Sequence, residues 1–144
     1  MDWRSAVLIV CFVIFTPYAW EYLVAFFSGW IPADALSGVI NSEGAAGVTV
    51  QVAIDSVIYS LFACVLIAAP LGAILTTIQK RIVLIYAGLS TLHLLLVFPY
   101  ESVSTSDFYW PLVTVDAIAF FIWLIAGIFL GAALRNFYRR IREA

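Results

Sequence analysis

All seven lysine and arginine residues of this chain stand at three places, and long apolar stretches separate those places. Arg4 precedes the first stretch, Ser5 to Phe27. Lys80 and Arg81 divide the second, Val52 to Ile78, from the third, Ile82 to Phe98. Arg135, Arg139, Arg140 and Arg142 follow the fourth, Pro111 to Leu134. A helix needs about 20 apolar residues to cross a bilayer core, so each stretch reads as one span. The second is the longest and is expected to tilt or overshoot. The remaining loops, 28–51 and 99–110, hold no cation and carry Asp34, Glu43, Glu101 and Asp107. A cation split this complete places the cation-bearing ends, and with them both termini, in the cytoplasm. The expected fold is an all-α membrane protein: four transmembrane helices in an antiparallel bundle, N-in and C-in. A bacterial plasma (inner) membrane is the natural setting. With only Gln79 to Arg81 as a turn, spans two and three read as an antiparallel hairpin.

Composition agrees. The 144 residues are 65% hydrophobic and 11% charged, against about half apolar and a quarter charged in soluble domains. A soluble core this small has too much surface to bury so much apolar area, which makes the lipid bilayer the solvent. A net charge of -2 gives no electrostatic footprint for nucleic acid. Five Trp, seven Tyr and eleven Phe suit interfacial anchoring. The first span is too long for a signal-peptide core and ends in "FFSGWIP" without a small-residue cleavage pattern, so it is expected to stay in the protein. Residues 1–144 read as one membrane domain.

In the first outer loop Pro32, Asp34, Leu36, Val39 and Ile40 fit a short helix lying on the outer leaflet, ending near Gly44. The second brackets a Ser/Thr tip with Tyr100, Phe108, Tyr109 and Trp110, an aromatic belt.

Ionisable groups inside a membrane are candidate functional sites because hydrocarbon disfavours charge. There is one per span: Glu21, Asp55, His93 and Asp116. Counting from the flanking cations at 1.5 Å per residue puts Glu21 at about 26 Å, Asp116 at about 29 Å, His93 at about 18 Å and Asp55 at about 38 Å. Asp55 therefore falls at the far interface and the four do not form one site; among Glu21, His93 and Asp116, a Glu21–His93 or Glu21–Asp116 pair remains as the candidate proton or ligand site. Pro17 lies four residues before Glu21 and is expected to kink span one, freeing the carbonyl of Val13. A lone histidine cannot ligate a bis-imidazole haem within one chain, and these depths do not gather the four ligands of a zinc site. Cys11 and Cys64 stand too far apart in depth for a disulfide. No metal, cofactor or catalytic residue is assigned, and no motif of an enzyme is found.

His93 shares a stripe with Tyr86 and Ser90, at i, i+4 and i+7, which is expected to face other helices, with the imidazole donating to a neighbour's carbonyl or carboxylate. Span two carries small residues every fourth position: Ser56, Ser60, Cys64, Ala68, Gly72 and Thr76. Span four adds Gly127 and Gly131. Such ridges allow close backbone approach, and two of them suggest intimate contacts within the bundle, between copies, or with another membrane subunit. Pro70, inside "AAPLGA", removes a bond to Leu66 and favours a bend. The tail "RNFYRRIREA" continues span four against anionic lipid.

These features point to an accessory, assembly or partner-recognition subunit of a membrane complex, an immunity-type role included. Its interface would be Ser60, Cys64, Ala68, Gly72, Gly127 and Gly131, against another membrane protein or copies of itself. The alternatives are a small oligomeric proton or solute transporter or channel subunit using Glu21, His93 and Asp116, and a quinone- or haem-binding electron-transfer subunit.

Overall fold

The computed structural model describes residues 3–30, 45–75, 79–97 and 109–143, with side chains at all of these except 30, 45–56 and 109–112. They form four helices: α1 (Trp3–Trp30), α2 (Ala45–Ile74), α3 (Lys80–Val97) and α4 (Tyr109–Glu143). Each contains a window long and apolar enough to cross a membrane. At 1.5 Å per residue α3 is about 27 Å long and α4 about 52 Å, so α4 outruns a core of about 30 Å. Its surplus is the basic tail, helical through Glu143. The expected surface helix of the first loop, the aromatic second loop, and the side chains of Asp55, Ser56 and Thr76 lie outside the described residues.

The helices form a ring in the order α1, α2, α4, α3. The most extensive contact is between α2 and α4; α1 packs on both α2 and α3, and α3 closes on α4. Contact between α2 and α3 is only marginal, so the hairpin expected of spans two and three does not form. Two local causes are visible. Helix α2 stops at Ile74 and α3 starts at Lys80, making the connection longer than the three-residue turn expected. Six Cα steps reach about 20 Å, enough for the diagonal of four helices set about 8–10 Å apart. Gln79 then starts α3 by accepting from the amides of Ile82 and Val83. The second cause is α4, which fits the small-residue face of α2 more closely than any helix bearing leucines there.

Burial follows this order. In the apolar window of α2 44% of residues are buried, against 17% in α1, so α2 is the central helix and α1 the peripheral one. The core joins Leu71 of α2, Val83 and Leu94 of α3, Phe120, Leu124 and Ile128 of α4, and Ile9 of α1. Thr16, Ser60 and Ser90 are polar and fully buried beside them. Both prolines sit inside continuous helices, Pro17 in α1 and Pro70 in α2.

Candidate functional site

The sole histidine meets the break in α1. Proline has no amide N–H, and its ring crowds the carbonyl four residues back. In α1 that carbonyl belongs to Val13, which Pro17 cannot satisfy. His93, half-buried on α3, lies with Nδ1 3.0 Å from the Val13 oxygen. A carbonyl only accepts, so Nδ1 carries the proton and donates, which in neutral imidazole leaves Nε2 as the acceptor. The edge of the same ring meets Tyr18, with centroids 6.0 Å apart and planes at 74°. His93 thus replaces the intrahelical bond that Pro17 removes. Sequence reading identified both halves, a freed Val13 carbonyl and an imidazole seeking a carbonyl, without joining them.

A second link lies beside it. Thr16 Oγ1 donates to the Phe12 carbonyl at 2.5 Å. With its only proton so used, it accepts from Tyr86 Oη at 2.8 Å. Tyr86 is buried, as is Ser90 one turn on, whose Oγ has no partner among the described residues. Tyr86 and His93 both face α1, as the stripe spacing requires. On the α2 side Trp20 Nε1 donates to Ser60 Oγ at 3.2 Å, and the Trp20 ring stands edge-on to Phe120 at 5.6 Å. In hydrocarbon, helices associate through packing and such bonds rather than a hydrophobic force. Three of the polar groups buried in this bundle therefore hold α1 in place.

Of the proposed proton or ligand residues, His93 and Glu21 stand apart along α1. His93 reaches α1 at Val13, eight residues or about 12 Å along the axis from Glu21. Glu21 is exposed, and Asp116 is half-buried with a partner of its own. Among the described residues no three of His, Cys, Asp and Glu lie close enough to hold one metal ion. Cys11 and Cys64 are both free thiols, the first exposed and the second buried.

The small-residue ridges meet each other. A methyl group on Gly72 would strike the Ile128 carbonyl, and one on Gly131 the Ala69 carbonyl. One on Gly127 would lie 2.9 Å from Ala68 Cβ and 3.1 Å from the Cys64 oxygen. Each glycine Cα thus faces opposing backbone, a geometry that favours Cα–H to carbonyl contacts. Cys64 and Ala68 are fully buried, as is Ser60, which Trp20 of α1 engages. The two ridges pack against each other within the bundle, one of the contacts that their spacing suggested. The seam closes at Arg135, whose Nη1 donates to the Leu75 carbonyl just past the end of α2. Sequence reading missed this bond and counted Arg135 only as a topogenic charge. Its position one turn after Gly131 was the available signal.

Bulk on α1 has the opposite effect. Phe12, Phe15, Tyr18, Ala19, Tyr22 and Leu23 stand against Leu66, Ile67 and Pro70 of α2 around an apolar groove of about 560 Å³, within the range of ligand pockets (about 300–1,000 Å³). Where α2 presents small residues to α4 the backbones touch; where α1 presents aromatic rings to α2 a groove remains.

The arrangement defines a helical bundle of the membrane-spanning kind, with polar bonds at one peripheral helix and a groove beside it. No protein family, curated protein or solved structure matches the chain.

Proposed function

We propose that this is a non-catalytic recognition subunit of a membrane complex, with both termini in the cytoplasm, and that it receives an apolar helix of another membrane protein in the α1–α2 groove. The observation that carries this reading is the groove itself. It is apolar, open, at spanning depth in both helices, and rimmed by side chains that the other described residues leave uncovered: Phe15, Tyr18, Tyr22 and Leu66 are all about half exposed or more. Its floor runs from Phe12 to Leu23, about 16 Å of helix axis, which matches a stretch of helix rather than a compact solute. The exposed face continues along α1 through Val10 and Val7, so a docked helix has about one and a half turns more to follow. The confinement of every Lys and Arg to the flanks of the spans at Arg4, Lys80 with Arg81, and Arg135 to Arg142 supports the orientation.

Transport through Glu21, His93 and Asp116 gains no support, since Nδ1 of His93 is committed to Val13 and Glu21 lies apart from it. The test is native mass spectrometry of the protein extracted gently from its host, wild type beside Ala19→Phe, which fills the groove. The reading expects a stoichiometric second protein that is lost in Ala19→Phe. A bound lipid chain alone, a second copy of this chain, or a partner retained by Ala19→Phe would each contradict it.

A further inference from the structure

We infer that His93 is a latch on the Pro17 break, setting the angle of the 18–30 half of α1 and with it the width of the α1–α2 groove. Three observations meet here. Pro17 divides α1 into two segments by removing the bond to Val13, the usual origin of a sharp helix kink. His93 supplies the missing donor from a different helix, at 3.0 Å, so the freed carbonyl is tied to α3 and not to the helix itself. Tyr18, the first residue past the break, touches the imidazole edge-on and also lines the groove, together with Ala19, Tyr22 and Leu23 from the same half of α1. The N-terminal half contributes only Phe12 and Phe15. The α1 wall of the groove is therefore built mostly by the segment that His93 touches.

The other attachments of α1 lie on both sides of Pro17 and differ in kind. Thr16 holds Tyr86 just before Pro17, and Ile9 packs in the core. Past Pro17 the described ties between helices are the Trp20 to Ser60 bond and ring contacts of Trp20 with Phe120 and of Phe27 with Phe62. Losing the His93 bond leaves the 18–30 half of α1 held to α2 and α4 by side chains alone, at Trp20 and Phe27, which can re-form as the segment turns. Gly29 lies twelve residues beyond Pro17, a lever of about 18 Å, so a kink change of about 20° displaces it by about 6 Å.

The test is a pair of spin labels in the full chain in lipid nanodiscs. Cys11→Ser and Cys64→Ala remove the native thiols. One pair takes labels at Gly29→Cys and Ile122→Cys, where no described atom crowds Gly29 and Ile122 is exposed. A control pair, Val7→Cys with Leu134→Cys, reports the half before the break. His93→Leu is expected to shift or broaden the Gly29 distance by several ångström and leave the Val7 distance unchanged. Adding Pro17→Ala, which returns an intrahelical donor to Val13, is expected to restore a narrow Gly29 distribution. An unmoved Gly29 distance in His93→Leu overturns the latch, as does a change that Pro17→Ala leaves uncorrected. If His93→Leu alone does not fold, folding of the double variant supports the latch and its failure overturns it. The groove's use by a partner rests on the reading proposed above; these distances need no partner, so the latch and that reading fail separately.

Discussion

Between α2 and α4 the backbones touch at Gly72, Gly127 and Gly131, whereas α1 stands off its neighbours on aromatic rings and is tied to them by side-chain bonds through Val13, Thr16 and Trp20. The two contacts respond differently to change. A backbone seam has no slack: any side chain added there meets main chain, which cannot rotate away. A side-chain tie can lengthen, break and re-form, at a cost near that of one hydrogen bond. One region is thus a fixed frame, and the other is an attached helix whose setting the sequence can adjust. That division explains why a groove lies beside α1.

The comparison is broken most severely at the seam. Gly131→Leu places a branched side chain against the Ala69 backbone, beyond the usual overpacking cost of about 1–3 kcal/mol. Reversible unfolding in bicelles should show at least that loss, and cross-links between α2 and α4 should vanish. Gly88→Ala, with no described atom within 4 Å of the added methyl, should change stability by less than about 0.5 kcal/mol. If both glycines tolerate substitution alike, α2 and α4 are not in backbone contact.

Next in size is Arg135→Ala, which leaves the Leu75 carbonyl without its donor and removes a charged bond from the end of the seam. Charge-assisted bonds contribute about 1.5–3 kcal/mol, and the loss should appear in the same unfolding measurement. Tyr86→Phe sharpens the contrast on the α1 side. It removes only the donor to Thr16, and interhelical bonds in membranes average about 0.6 kcal/mol. A cost as large as that of Gly131→Leu would mean that α1 is part of the frame.

How much of this could be read from sequence differs between the same two regions. The four spans were legible because apolar length is a one-dimensional property, and Arg4, Lys80–Arg81 and the Arg135–Arg142 group punctuate it. The glycine ridges were legible too, since a four-residue interval is local to one helix. What they touch was not: a ridge at Gly127 and Gly131 does not say whether its partner is α2 or another chain, and the pairing follows from packing among all four helices. That α2 and α3 make only marginal contact was not legible for the same reason. A short connection between Ile74 and Lys80 suggests adjacent helices, yet even five intervening residues span the diagonal. At His93 both chemical needs were written in the chain, 80 residues apart, but only the fold brings them to one point. The groove left no sequence signal, being the space that Phe12, Phe15 and Tyr22 keep open.

The most direct test of the contrast between a fixed frame and a tied helix is a four-protein unfolding cycle: wild type, His93→Leu, Pro17→Ala and the double variant, in one bicelle composition. If His93 holds α1 by answering the Val13 carbonyl, His93→Leu should cost about 1 kcal/mol in the wild-type background and close to nothing in the Pro17→Ala background, where a backbone amide supplies the donor. An equal cost in both backgrounds would contradict the account, because His93 would then be stabilising the bundle by packing alone, as a residue of the frame.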